Sequence, residues 1–130
     1  MALLILPNFV ARFQFTWQEV LYGLEHQFLS VQGAVAVAIA SVVEGSSDPT
    51  TIELASLDKN DLYLTRELLE QMADSEPREL HQFIKQKWIY IRLSYLFANL
   101  EDYPDPFAIV DEIYVDENYP DEITAVRLNG

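Results

Sequence analysis

A chain of 130 residues, half of them apolar and 22% charged, is the size of one ordinary domain and too apolar to be a disordered segment. Its formal charge of −13 sets it against nucleic acid and anionic membrane surfaces, both of which would repel it. Without cysteine it has no disulfide framework, thiolate nucleophile or zinc–thiolate site, a composition that fits a reducing cytosol.

In chain order, the first feature is the apolar run Ala2 to Leu6, ended by Pro7 and preceded by no Lys or Arg. It is too short for a signal core or a membrane span. Residues 1–15 therefore read as an apolar arm, starting as a buried strand or extended stretch, of a cytoplasmic protein. Thr16 and Glu19 have the spacing of a capping box, and Phe15 and Val20 that of a hydrophobic staple. Trp17, Val20, Leu21, Leu24 and Phe28 then recur at helical spacing as one buried face. Ser30 caps a second helix, Val31 to about Val43. Its Gly33, Ala34, Ala36, Ala38 and Ala40 let neighbours approach closely and predict a place at the centre of the packing. Gly45 and Ser46-Ser47-Asp48 end it.

Asp48-Pro49 starts a short helix to Leu57, with Ile52, Leu54, Ala55 and Leu57 on its apolar side. Asp58 caps the next helix, through Met72, marked by Leu62, Tyr63, Leu68, Leu69 and Met72. Ser75-Glu76-Pro77 opens the longest helix, to about Asn99. Its stripe is Leu80, Ile84, Trp88, Ile91 and Tyr95, widened by Phe83 and Leu96. Asp102 to Pro106 reads as a proline-broken turn, Phe107 to Tyr114 as a last helix, and Ile123 to Leu128 as a strand or extended arm. Four glycines and no sustained period-2 run argue against a sheet. The expected fold is all-α: a single-domain bundle of five to six helices over residues 1–130, with the N-terminal strand or arm at one end and an acidic segment, 101–130, at the other.

The catalytic inventory is thin. His26 and His81 stand in no catalytic or metal-ligating spacing, H-E-x-x-H and G-x-S-x-G are absent, and so are the phosphate-binding glycine patterns. Both histidines read as ordinary surface or boundary residues. A calcium loop beginning at Asp111 would need oxygen ligands and a glycine where Ile113, Val115 and Asp116 stand. No metal and no cofactor are expected.

The acidic C-terminal third carries the functional signal. From Leu93 to Val126 there are nine carboxylates and no Lys or Arg. Three acid pairs, Asp111-Glu112, Asp116-Glu117 and Asp121-Glu122, are interleaved with Tyr114 and Tyr119 and follow Tyr103 and Phe107. One reading is a solvated surface whose tyrosines and Phe107 pack back onto the core. A sharper one is a docking surface for a basic protein, formed by Asp111, Glu112, Asp116, Glu117, Tyr119, Asp121 and Glu122. A five-residue spacing turns successive pairs by about 140° on a helix, which weighs against a two-carboxylate active site. Lys85, Lys87 and Arg92 around Trp88 and Tyr90 make too small a footprint for nucleic acid in a chain of this charge, and pairing with the acidic segment is expected instead.

Several stretches resemble the bacterial domain of unknown function 2247 family. They are Thr16-Trp17-Gln18-Glu19-Val20-Leu21-Tyr22-Gly23-Leu24, Glu53-Leu54-Ala55-Ser56-Leu57, Lys87-Trp88-Ile89-Tyr90, Asp105-Pro106-Phe107 through Ile113-Tyr114, and Asn118-Tyr119-Pro120. The resemblance covers the chain from residue 16 onward and implies a small, mainly helical bacterial protein without an established activity. Small acidic families of this kind are similar to immunity proteins of contact-dependent or polymorphic toxin systems, an analogy from type rather than from a site.

Together these readings predict a non-enzymatic binding module, most concretely an immunity-type inhibitor of a basic toxin such as a nuclease. The alternative is a structural domain that self-assembles, as a homodimer through the apolar N-terminal arm. An enzyme using carboxylates or His81 comes last.

Overall fold

The path of the chain is organised by the start of its second helix. A computed structural model describes residues 3–58 and 60–116. The helices are α1 (Pro7–Val10), α2 (Trp17–Glu25), α3 (Val31–Val43), α4 (Pro49–Ala55), α5 (Leu62–Asp74), α6 (His81–Ala98) and α7 (Pro106–Asp116), with a 3-10 turn at Leu100–Asp102. The described residues form no β-strand. They divide into two compact units, residues 3–84 and residues 85–116, with the boundary inside α6.

In the first unit, the predicted capping box is present. Thr16 Oγ1 accepts the Glu19 amide at 3.2 Å, and Glu19 Oε1 accepts the Thr16 amide at 2.8 Å. The amides between them are taken by a distant residue. Glu76 accepts from Trp17 N–H at 2.9 Å and from Gln18 N–H at 3.0 Å. All four orphan donors of this helix start are thereby satisfied by side chains.

The same segment is held in return. Gln18 Oε1 accepts the Glu79 amide, Gln18 Nε2 donates to the Pro77 carbonyl, and Thr16 Oγ1 donates to Glu79 Oε1. This corrects the expected helix start at Ser75-Glu76-Pro77. Ser75 serves as the C-cap of α5, Glu76 reaches back to α2, residues 75–80 lie outside the helix, and α6 closes its first turn onto the Leu80 carbonyl. Leu80 and Phe83 are accordingly exposed, whereas Ile84 is buried.

α3 contacts α1, α2, α4 and α5 and buries Val31, Gly33, Ala34, Val37 and Ala38, so it is the centre of this unit as its small residues predict. A methyl group on Gly33 would come within 3.0 Å of Leu29 Cβ, which shows how closely the chain approaches there. α5 packs against α2 and α4 through Leu68, Leu69 and Met72. It starts later than expected, because Asp61 rather than Asp58 caps it, accepting the Leu64 amide, while Asp58 forms a local turn with Asn60. Leu62 and Tyr63 then fall on the exposed side, and Thr65 takes the buried one, donating to the Asp61 carbonyl. The N-terminal arm is extended over residues 3–6. Leu3 and Ile5 are buried, and a single bond from Ile5 N–H to the Phe28 carbonyl replaces a strand ladder.

Two helices end in the same way with different residues. After α3, Gly45 has φ 114°, and the Gly45 and Ser46 amides donate to Val42 and Ser41. After α2, Gln27 has φ 61°, and the Gln27 and Phe28 amides donate to Leu24 and Gly23. Both are Schellman caps, but Gln27 carries a Cβ in the left-handed region, where it is disfavoured by about 1–2 kcal/mol.

In the second unit, α6 buries Trp88, Ile89, Ile91, Tyr95 and Leu96, and α7 buries Ile113.

Two predictions follow from the caps. Replacing Glu76 with Ala leaves two α2 amides without their acceptor and lowers stability by about 1–3 kcal/mol in urea denaturation. Gln27→Gly relieves the left-handed strain and raises stability by about 0.5–1 kcal/mol after the added chain entropy is counted.

Candidate functional site

α7 begins at Pro106, one residue before the expected Phe107. Asp105 Oδ1 accepts the Ala108 amide at 3.2 Å, and Pro106 occupies the first helical position, where its missing N–H is harmless. At about 100° per residue, Phe107, Asp111 and Val115 follow one ridge, with Ala108 and Glu112 on the next and Ile113 opposite. Burial agrees. Ile113 is fully buried, Phe107 is 80% and Val115 70% exposed, and Ala108, Asp111 and Glu112 are exposed. Phe107 therefore does not pack back onto the core, contrary to one of the readings above.

Of the candidate contact residues, the helix brings Asp111 and Glu112 together on this face, and Asp116 is its last residue. Glu117, Tyr119, Asp121 and Glu122 lie outside the described residues, as does the expected arm from Ile123 to Leu128. The basic and aromatic residues of α6 do not form one surface: Trp88 and Arg92 are buried, whereas Tyr90 is exposed.

Beside α7 in sequence, Tyr103 is partly buried. Burial raises its phenol above the ordinary 10.0, helped by the nearby Tyr95 and Asp102 and by a hydrogen bond with Tyr95. Because the folded state holds this proton more tightly than the unfolded chain, the stabilisation is complete at neutral pH. It is lost as pH rises through the ordinary tyrosine value and beyond.

The first unit carries a concave feature that has no signal in the sequence. A groove of about 490 Å³ is lined by Gln18, Leu21, Tyr22, Glu25, Ala73, Asp74, Glu76, Arg78 and Ile84. Both histidines lie against one of its walls. The His26 ring stacks on Tyr22 at 3.9 Å, its Nδ1 lies 2.8 Å from the Tyr22 carbonyl, and His81 meets the same ring edge-on at 5.5 Å. The two stand far apart in the sequence, and no spacing pattern could have paired them. Glu76 in this groove is already committed to α2, and Arg78 stands among three carboxylates, so the lining offers neither a nucleophile with its base nor a set of metal ligands. Among the described residues, no group of three or more His, Asp or Glu is placed to hold a metal ion. Likewise, no described helix is long and apolar enough to cross a membrane.

With the geometry in view, the comparisons with known proteins add one identification. The profile of a family described as an uncharacterized protein conserved in bacteria (DUF2247) matches residues 8–127. The chain belongs to this family. The match starts at residue 8 rather than 16, so the DUF2247 region includes all of α1 but Pro7, as well as the groove and α7. No curated protein and no solved structure matches the chain.

Tyr103→Phe is expected to make unfolding at alkaline pH less steep, because the group that titrates out of the folded state is gone. Urea midpoints measured from neutral pH to above pH 10.0 check this, and an unaltered alkaline slope would contradict it.

Proposed function

We propose that this DUF2247 protein is a non-enzymatic protein-binding module that docks a basic partner on α7. The observation that supports the reading most is the composition of that exposed face, where Phe107 and Val115 stand uncovered beside Asp111 and Glu112. Exposed aromatic and aliphatic side chains provide anchors, and carboxylates steer a cationic partner towards them. The net charge of −13 extends the same field over the whole chain.

In its most concrete form the proposal is an immunity-type inhibitor, acting in the bacterial cytoplasm. It would occlude the positively charged cleft of a toxin such as a nuclease. Asp116, Glu117, Tyr119, Asp121 and Glu122 continue the acidic and aromatic pattern in sequence and belong to the proposed contact set.

The test compares the wild-type chain with an Asp111→Lys/Glu112→Lys variant and with Phe107→Ser. Each is immobilised and exposed at low salt to a lysate of the source bacterium. A basic protein that the wild type retains and releases with salt should associate more slowly and with less salt dependence in the double variant. It should dissociate about tenfold faster or more from Phe107→Ser. Equal retention by all three chains would remove α7 from the interface, and the absence of any basic partner would overturn the reading.

A further inference from the structure

We propose that the groove lined by the last turns of α2 and α5 is a binding site for a free basic amino acid, arginine or lysine. Its volume of about 490 Å³ falls within the range of about 300–1,000 Å³ usual for small-molecule sites. Leu21, Ala73 and Ile84 give it an apolar lining, and charged side chains of both signs share the same walls.

Much of the frame is fixed by the chain itself. Both oxygens of Glu76 accept α2 amides, so its charge is balanced at that helix start. Gln18 is tied at both ends of its amide, to the Glu79 N–H at 3.0 Å and the Pro77 carbonyl at 2.8 Å. Tyr22 is held between the stacked His26 ring and the edge-on His81 ring. Three charged side chains of the lining remain. Glu25, Asp74 and Arg78 are exposed, and among the described residues none of them forms a hydrogen bond or an ion pair. Opposite charges thus line one cavity without neutralising each other.

These charges identify the ligand. Glu25 is the last residue of α2 and Asp74 the last of α5, so the negative ends of two helices join two carboxylates and favour cationic groups. Arg78 offers a guanidinium, whose fork matches a carboxylate. The complement of all three is two cations and one carboxylate on a stem that can lie on apolar surface. A free basic amino acid has this composition. Its α-carboxylate pairs with Arg78, its α-ammonium and side-chain cation pair with Glu25 and Asp74, and its methylenes cover the apolar lining. A neutral amino acid lacks one of the cations, a diamine lacks the anion, and a basic residue inside a peptide lacks both backbone charges. The site belongs to the first unit, and its ligand is independent of the partner proposed for α7.

Titration of the isotope-labelled full chain with L-arginine and with L-lysine, followed by amide chemical shifts, tests the proposal. The expected result is saturable shifts confined to the last turn of α2, residues 73–78 and the first turn of α6. Agmatine (no carboxylate), norleucine (no side-chain cation) and Nα-acetylarginine (no ammonium) should each bind about tenfold more weakly or worse. Arg78→Gln should weaken arginine about tenfold and abolish its advantage over agmatine. Glu25→Gln/Asp74→Asn should weaken arginine as much, and neither variant should lower the thermal unfolding midpoint, because these side chains bond to nothing else in the described chain. No saturable shift with millimolar arginine or lysine, shifts outside the groove, agmatine or norleucine binding as tightly as arginine, or unaltered affinity in Arg78→Gln would each overturn the assignment.

Discussion

Four backbone amides at the start of α2 have no partner within their own helix, and the way they are satisfied constrains the chain nearly sixty residues later. Thr16 and Glu19 supply two acceptors locally, and Glu76 supplies two more from 58 and 59 residues away. Charge-assisted bonds of this kind are about twice as strong as neutral ones, and the positive end of the helix dipole adds to them. Ser75, the residue expected to cap the next helix, is instead the C-cap of α5, with its hydroxyl donating to the Met72 carbonyl. Glu76 reaches back to α2 from the stretch between α5, which ends at Asp74, and α6, which starts at His81. The groove between these segments is a by-product of the same tie, since Gln18, Glu76 and Arg78 all line it.

What could be read from the sequence follows the range of the interaction. The Thr16–Glu19 box, the Ser30 cap, Asp48-Pro49 and the Gly45 terminator are contained within a few residues, and each appears in the structure as read. Asp105-Pro106 is the same signal as Asp48-Pro49, and it places the start of α7 one residue ahead of the expected Phe107. Gln27 performs the task of Gly45 without the residue type that announces it. The recruitment of Glu76 and the meeting of His26 and His81 on Tyr22 have no local signature, because both depend on tertiary packing. Apolar periodicity also misplaced Leu62, Tyr63 and Leu80, where the true helix starts lie three to six residues beyond the expected ones. On α7, the exposure of Asp111 and Glu112 fits their acidity, but the exposure of Phe107 and Val115 could not be inferred from an apolar residue type.

Family membership does not narrow the chemistry, but the fold separates carboxylates that cap helices from those on the exposed side of α7. Glu19, Asp48, Asp61, Glu76 and Asp105 accept from backbone amides at helix starts, where the helix dipole favours negative charge. Part of the chain's acidity is therefore structural, and removing any of these side chains should disturb folding before it disturbs recognition. Asp111 and Glu112 lie past the first turn of α7, beyond the reach of that effect, and are exposed on the same side of the helix as Phe107 and Val115. In the proposed docking role those carboxylates would steer a basic partner and the apolar side chains would anchor it.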